Sequence, residues 1–175
     1  LAKIAGIKLC EAFKIQDNCN FISVTPTNLY GPMDKFDDVN GHVPAALLNR
    51  FHLAKKNNLS NVTVWGSGTP LREFLYVDDL ADACIFLAKN YNSSQPINVG
   101  SGHEISIKNF ASLIKEIVGY KGKIIFDKSK PDGMKRKLLD SKKIKQMGWK
   151  PKISLKKGLK LFYKWYVNNQ KTLRK

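Results

Sequence analysis

Residues 74–89, FLYVDDLADACIFLAK, pass directly from a strand pattern into a helix pattern. We predict a strand over 74–77 and a helix that Asp78 caps and that continues to about Lys89. The same order returns downstream, where the strand pattern of 96–99 is followed by a helix that Ser106 is expected to cap. Strands that alternate with helices in this way are typical of an α/β fold.

The elements on either side extend this alternation. Upstream we predict a helix over 1–15 packed on more than one face, a buried strand at 21–24, a loop at 26–32, a helix at 43–54 with Pro44 in its first turn, and a strand at 62–65 that Gly66-Ser67-Gly68 ends. Downstream we predict a strand at 124–126, a short helix at 141–147 and a last helix that Ser154 caps.

The net charge of +16 lies entirely in the last third of the chain. Residues 1–120 carry 11 basic and 11 acidic side chains, whereas residues 121–175 carry 19 basic and 3 acidic ones. The excess is mostly lysine, with 26 Lys against 4 Arg, and a phosphate-gripping surface would be expected to use more arginine. We interpret these lysines as a solvated face and do not expect a nucleic acid as the partner.

Three further features narrow the class of protein. Cys10, Cys19 and Cys84 cannot all pair and lack metal-ligand spacing, so we expect reduced thiols, a cytoplasmic location and no metal site. No apolar run approaches the ~20 residues of a membrane helix, so no membrane partner is expected. Residues 1–6 read like the middle of a helix and lack signal-peptide features, so we expect the chain to begin inside a larger protein.

Several segments, taken in order, resemble the extended short-chain dehydrogenases that act on nucleotide sugars. They are residues 1–8, LAKIAGIK; 26–32, PTNLYGP; 41–43, GHV; 64–74, VWGSGTPLREF; 77–79, VDD; 98–102, NVGSG; and 130–133, KPDG. The segments around Tyr30 and around Phe74 are similar to those of the whole family. The run from Trp65 to Arg72, together with His42, resembles its GDP-L-fucose synthase branch.

The resemblance implies a fold and a division of the chain. It implies the C-terminal part of a Rossmann-type NADP-binding enzyme, in which a smaller α/β subdomain closes over the nucleotide sugar. Residues 1–175 would form one epimerase/dehydratase-type region, with the substrate subdomain mainly at about 33–72 and 103–175. The glycine-rich phosphate turn of the Rossmann unit is missing from the sequence. We therefore expect the isolated chain to be inactive.

Two catalytic residues are implied by the resemblance. Lys3 matches the lysine of the family's Tyr-x-x-x-Lys motif, where it lowers the pKa of the tyrosine and contacts the nicotinamide ribose. His42 matches the acid of epimerisation, a role that suits a group titrating near neutral pH. The family's base is a cysteine, and Cys10, Cys19 and Cys84 do not match it. Taken alone, Lys3 would be a surface lysine and His42 an incidental loop residue.

The resemblance also implies binding residues. Lys3, His42 and the segment Pro26, Thr27, Asn28 and Leu29 would contact the nicotinamide end of NADP(H). Arg50, Trp65, Arg72 and Asp132 would contact the GDP-sugar, with arginine forks suited to a diphosphate. Without the resemblance, Arg50 reads as a helix-surface charge, Trp65 as core, Arg72 as an ion-pair partner of Glu73 or an Asp, and Asp132 as a turn residue.

The activity that the resemblance implies is NADP-dependent epimerisation at C3 and C5, and reduction at C4, of GDP-4-keto-6-deoxy-D-mannose to GDP-L-fucose. It also implies a homodimer built partly on the helix that contains Lys3. Two alternatives remain open. One is a sister activity on another nucleotide sugar, such as a 4-epimerase or 4,6-dehydratase. The other, of a different class, is a basic nucleic-acid-binding module supported only by residues 121–175.

Overall fold

Helices and strands alternate along the chain, which confirms the α/β prediction. The computed structural model describes residues 1–37 and 41–173. The helices are α1 (Ala2–Asp17), α2 (Val43–Lys56), α3 (Val77–Asn90), α4 (Ile107–Val118), α5 (Lys142–Gln146) and α6 (Leu155–Asn168). The strands are β1 (Val24–Pro26), β2 (Asn28–Tyr30), β3 (Asn61–Trp65), β4 (Leu71–Tyr76), β5 (Ile97–Val99), β6 (Glu104–Ser106), β7 (Lys123–Asp127) and β8 (Arg136–Lys137).

Strand β4 is the centre of the sheet that positions the later site. It pairs in parallel with β2, where Asn28 stands opposite Phe74, and also in parallel with β8. On another part of its length it pairs antiparallel with β6, through Arg72 opposite Ile105. Two further parallel pairs, β1 with β5 and β3 with β7, flank this arrangement.

Most predicted helices and their caps are confirmed. Helix α2 begins at Val43 with Pro44 in its first turn. The Ser106 hydroxyl accepts a hydrogen bond from the Asn109 amide, and the Ser154 hydroxyl accepts one from the Lys157 amide. Each hydroxyl satisfies an amide that has no partner within its helix.

Three local predictions are wrong. The strand expected at 21–24 begins only at Val24, and the loop expected at 26–32 contains strand β2. Parallel pairing with β4 overrides the turn preferences of the Pro and Asn residues there. Asp78 does not cap α3, because the helix follows β4 directly with Tyr76 at the N-cap. Asp78 instead lies in the first turn, where its charge favours the helix dipole.

The apolar side chains form two separate cores. The larger joins α2, α4 and α6 to β3 and β4, with Phe51, Phe110 and Phe162 fully buried. The smaller joins α3 and β5 to α5, and contains Leu87 and Trp149. The predicted substrate subdomain at 33–72 and 103–175 supplies most of the larger core, whereas α5 and Trp149 belong to the smaller one.

Helix α1 differs from its prediction in its packing. It was expected to be covered on more than one face, yet none of its residues is buried among the described parts of the chain. Its contacts include an edge-to-face pair between Phe13 and Phe21 and a hydrogen bond from Lys14 to Asn92. Ile4 and Leu9 are exposed, so the helical pattern predicted the element correctly but not its environment. Among the described residues, no helix has the length and apolar character needed to cross a membrane.

Glu73 ties three segments to the middle of β4. Its side chain is fully buried, and its carboxylate accepts hydrogen bonds from the amides of Gly102 (2.6 Å) and Leu139 (3.1 Å). Its carbonyl oxygen accepts a bond from the side-chain amide of Asn28 (2.8 Å) and another from the Thr27 hydroxyl (3.4 Å). A buried carboxylate is tolerated only when its oxygens are satisfied in this way.

We expect Glu73→Ala to lower the free energy of unfolding by about 2–4 kcal/mol, because two amides lose their buried acceptor. The free energy of unfolding of Glu73→Gln should lie between that of Glu73→Ala and that of the wild type, since the glutamine side chain keeps one acceptor oxygen. Urea denaturation measures both effects. Glu116→Ala is the control, because Glu116 only pairs with Lys156 at the surface, and no measurable change is expected. Equal stability of Glu73→Ala and wild type would contradict this role.

Candidate functional site

A cleft of about 490 Å³ opens beside the start of β2 and the start of α2. Thr27, Asn28 and Leu29 line it from the strand, and His42 lines it from the residue before the helix. Arg72 and Phe74 of β4 form another wall. We call this the first cleft; it brings together four of the residues predicted to contact the nicotinamide end of the cofactor.

A second cleft of about 300 Å³ adjoins the first. It is lined by all four residues predicted to contact the nucleotide sugar, namely Arg50, Trp65, Arg72 and Asp132. Gly41, Val43 and Arg72 line both clefts, so the two share one boundary. The residues come from α2, β3, β4 and the segment after β7, which are distant in sequence.

Trp65 and Arg72 are available to a ligand. The Trp65 side chain is 50% exposed, so its interpretation as a core residue is wrong. The Lys130 ammonium lies over its ring, 5.7 Å from the centroid. Arg72 does not pair with Glu73, whose carboxylate is occupied by backbone amides; one Arg72 guanidinium N–H donates instead to the Leu71 carbonyl at 2.8 Å. Arg72 lines both clefts.

Asp132 closes the glycine turn that follows β3. One of its oxygens accepts from the Ser67 amide at 2.6 Å, and the other accepts from the Ser67 hydroxyl at 2.7 Å. The Ser67 hydrogen bonds and the nearby Arg72 charge lower the pKa of Asp132 below its usual value. Gly66 has φ 84°, and a Cβ there would lie 2.3 Å from the Asp132 carboxylate, so glycine is required. Asp132 thus shapes the second cleft while lining it.

The side chains of Arg50 and His42 differ in how they are held. An Arg50 guanidinium N–H donates to the Thr63 carbonyl at 2.7 Å, which fixes the side chain along β3. His42 stands at the N-cap of α2 with its side chain 79% exposed, and its Nδ1 lies 3.2 Å from Asp34 Oδ1. Residues 38–40, which precede Gly41 and His42 in the sequence, lie outside the described residues.

Two predicted site residues lie apart from the clefts. Lys3 is exposed on α1 and lines neither cleft, and Pro26 is exposed at the end of β1. Their assignments remain predictions. Among the described residues, no group of three or more His, Cys, Asp or Glu side chains is placed to hold a metal ion.

Sequence reasoning missed two residues beside the clefts. The Lys137 ammonium lies 3.3 Å from the Asn28 side-chain oxygen, and Asp34 contacts His42. Lys137 is brought there by the pairing of the two-residue strand β8 with β4, for which the sequence holds no local signal. Asp34 lies eight residues before His42, and in a loop this separation does not predict that two side chains are in contact.

Comparison with known families decides the relationship. Residues 1–100 match the model of the NAD dependent epimerase/dehydratase family. The chain belongs to this family.

Individual relatives agree with that membership. The chain is 59% identical over 169 residues to the probable GDP-L-fucose synthase 1 of Oryza sativa subsp. japonica, covering 97% of this chain and 52% of that protein. It is 50% identical over 183 residues to the GDP-L-fucose synthase of Escherichia coli (strain K12), covering 99% of this chain and 57% of that protein. The chain therefore spans about half the length of the curated relatives it matches.

A solved structure gives the same fold for this epimerase/dehydratase chain. A GDP-L-fucose synthetase from Naegleria fowleri, bound to NADP, superposes with a TM-score of 0.90 at 32% identity. The match covers 97% of this chain and 55% of that one. The fold class is therefore that of the family's nucleotide-sugar enzymes.

We expect Ser67→Ala to raise the pKa of Asp132 toward its ordinary value of 3.8, because the hydrogen bond from the Ser67 hydroxyl is the largest cause of the lowering. A lowered pKa in the folded state stabilises the fold above the unfolded pKa, and this contribution is lost as pH falls through the folded pKa. The variant should lose the part of that acid dependence that the Ser67 hydroxyl contributes, because the Ser67 backbone amide still donates to Asp132. Carboxyl ¹³C NMR titration measures it.

Ser129→Ala is the matched control, since Ser129 lowers the pKa of Asp127 by the same kind of hydrogen bonds. It should move the titration of Asp127 and leave that of Asp132 in place. An unchanged Asp132 titration in Ser67→Ala would show that another group holds its carboxylate.

Proposed function

We propose that this chain carries the substrate-binding part of an NADP-dependent enzyme of nucleotide-sugar synthesis. The reaction is epimerisation at C3 and C5, and reduction at C4, of GDP-4-keto-6-deoxy-D-mannose to GDP-L-fucose. The observation that carries the proposal is the pair of adjoining clefts. Eight of the ten predicted site residues line them, with the cofactor set in one and the sugar set in the other. The relatives named GDP-L-fucose synthase support the choice of substrate.

Epimerisation beside a ketone requires a base to remove a proton from one face and an acid to return a proton to the other. His42 is assigned the acid role through the resemblance, and it lines the first cleft between Gly41 and Val43, which line both clefts. An imidazole can release a proton to the substrate carbon and regain one from solvent near neutral pH. The base is assigned by the resemblance to a cysteine that is none of Cys10, Cys19 and Cys84.

Binding of the GDP-sugar is assigned to the second cleft. Arg72 presents a planar set of donors suited to phosphate oxygens, and Arg50 adds a second positive charge. The half-exposed Trp65 ring offers a face for stacking and an N–H donor. Asp132 keeps acceptor capacity for a hydroxyl group while it holds the glycine turn.

The cofactor is assigned to the first cleft, whose residues fit the nicotinamide end of NADP(H). The Asn28 side chain is fixed on both sides, because its amide donates to Glu73 and its oxygen accepts from Lys137. Leu29 and Phe74 supply apolar walls for a flat ring. When bound, NADPH supplies the hydride for reduction of the ketone. Lys3 is assigned to the same cofactor through the resemblance.

A homodimer and a cytoplasmic location belong to the same proposal. The exposed apolar side chains of α1, among them Ile4 and Leu9, support an interface on that helix. The three cysteines are free in the structure, which fits a reducing compartment.

The alternative of a nucleic-acid-binding module has less support. Basic residues of the last third pair with acidic ones on other elements, as in Arg136 with Glu104 and Lys152 with Asp82. These ion pairs place negative charges among the positive ones and so interrupt the basic surface. Binding to duplex DNA that weakens steeply with salt would favour this alternative over the enzyme.

We expect His42→Ala, made in the protein that carries this chain, to slow exchange of the substrate's C3 and C5 protons with solvent deuterium by roughly 10²-fold or more, because the acid is lost. Mass spectrometry of the recovered sugar measures the exchange. His103→Ala is the control, since His103 is exposed and lines neither cleft. Undiminished exchange in His42→Ala would favour a 4-epimerase or simple reductase.

We expect Arg72→Lys to weaken GDP binding by roughly 10-fold, because an ammonium cannot reproduce the paired donors of a guanidinium. Isothermal titration calorimetry measures the dissociation constant. Arg136→Lys is the matched control, since Arg136 pairs with Glu104 and lines neither cleft. Equal affinities for Arg72→Lys and wild type would remove Arg72 from the diphosphate site.

A further inference from the structure

We propose that Asp34 is a positioning residue for His42, which it holds in the tautomer with the proton on Nδ1. This inference rests on the proposed function, because it concerns the acid of the same site. The contact is between His42 Nδ1 and Asp34 Oδ1, at 3.2 Å. A carboxylate only accepts hydrogen bonds, so the ring must present its Nδ1–H to it. The second ring nitrogen, Nε2, is then left to take a proton from solvent, and the resulting imidazolium donates that proton to the substrate carbon.

Asp34 itself is held firmly. Its side chain is only 13% exposed, and its Oδ1 also accepts a hydrogen bond from the Lys35 amide at 2.8 Å. Two residues later, Phe36 is buried against α6, with ring centroids 5.3 Å from Phe162 and 4.9 Å from Tyr166. The aromatic contact anchors the loop in the larger core, so the carboxylate has a fixed place from which to orient an exposed ring.

The backbone at Gly41 lies close to that of Lys35 and Asp37, which brings the next residue, His42, near Asp34. The Gly41 amide donates to the Asp37 carbonyl at 3.0 Å. A Cβ on Gly41 would lie 2.2 Å from that carbonyl oxygen and 2.7 Å from the Lys35 carbonyl oxygen. Only glycine allows the chain to pass this closely, and the next residue is His42. The approach of His42 to Asp34 is therefore built into the backbone.

His42 lines two neighbouring cavities. It lines the first cleft, and it also lines a smaller cavity of about 180 Å³ that Asp34 shares. The other carboxylate oxygen of Asp34, Oδ2, is buried and has no hydrogen-bond partner among the described residues. Asp34 lines the smaller cavity and does not line the first cleft, so it can hold His42 without occupying the space of a ligand there. Without it, the exposed imidazole would rotate freely and favour the Nε2–H tautomer that dominates in water.

The positioning role makes Asp34→Ala and Asp34→Asn behave differently. Alanine removes the acceptor, so solvent exchange at substrate C3 and C5 should fall at least about 10-fold. Asparagine keeps an acceptor oxygen for Nδ1–H and for the Lys35 amide, so it should retain most of the exchange rate. The affinity for GDP should stay unchanged in both variants, because Asp34 does not line the second cleft.

A spectroscopic measurement is independent of turnover. In protein labelled with ¹⁵N-histidine, the neutral ring of His42 should show a protonated Nδ1 and an unprotonated Nε2. Asp34→Ala should move His42 toward the opposite tautomer, whereas Asp34→Asn should not. His52, whose Nδ1 faces the Tyr163 hydroxyl at 3.1 Å, is the internal reference and should not move. The His42 signal is assigned as the one that is missing from the spectrum of His42→Gln.

The control variant is Asp37→Asn, which alters the acid that pairs with Lys35 in the same loop. It should leave exchange and tautomer as in wild type. If His42→Ala abolishes exchange while Asp34→Ala exchanges like wild type, the positioning role is wrong and the proposed function stands. If His42→Ala itself exchanges normally, the proposed function fails. Loss of exchange in Asp34→Asn as well as Asp34→Ala would overturn the hydrogen-bond role.

Discussion

The buried carboxylate of Glu73 is the interaction on which the site depends. Three parts of the chain meet at this residue: the start of β2, the glycine turn after β5, and the segment after β8. Its neighbours in β4 are Arg72 and Phe74, which line the first cleft. Because the carboxylate is satisfied by backbone amides rather than by an arginine, Arg72 remains available to an anionic ligand.

The two clefts differ in the elements that form their walls. The first is built where β2 and β4 run in parallel, with its walls set by strand register. The second is lined by α2, β3, β4 and the segment after β7, and hydrogen bonds between Asp132 and Ser67 join that segment to the turn after β3. Arg72 and Gly41 belong to both, so a group bound in one cleft borders a group bound in the other. Under the proposed function, this adjacency would place the two ligands side by side.

Much of the fold could be predicted because its signals are local. The helical spacing of Phe110 and Ile114 and the hydroxyl of Ser106 specify α4 without help from the rest of the chain. Strand β2 could not be predicted, because its Pro and Asn neighbours favour a turn and only pairing with β4 makes it a strand. The exposure of α1 was missed for a related reason, since an apolar pattern specifies a helix but not what covers it.

The sequence by itself determined the α/β alternation, the family resemblance and the identity of the candidate groups, because these depend on residue type and order. Only the tertiary structure decided which groups meet. It placed Arg50, Trp65, Arg72 and Asp132 around one space, and it left Lys3 apart on an exposed helix. It also set Asp34 against His42 through the close passage of Gly41. Distances between side chains arise from packing and register, which no local pattern encodes.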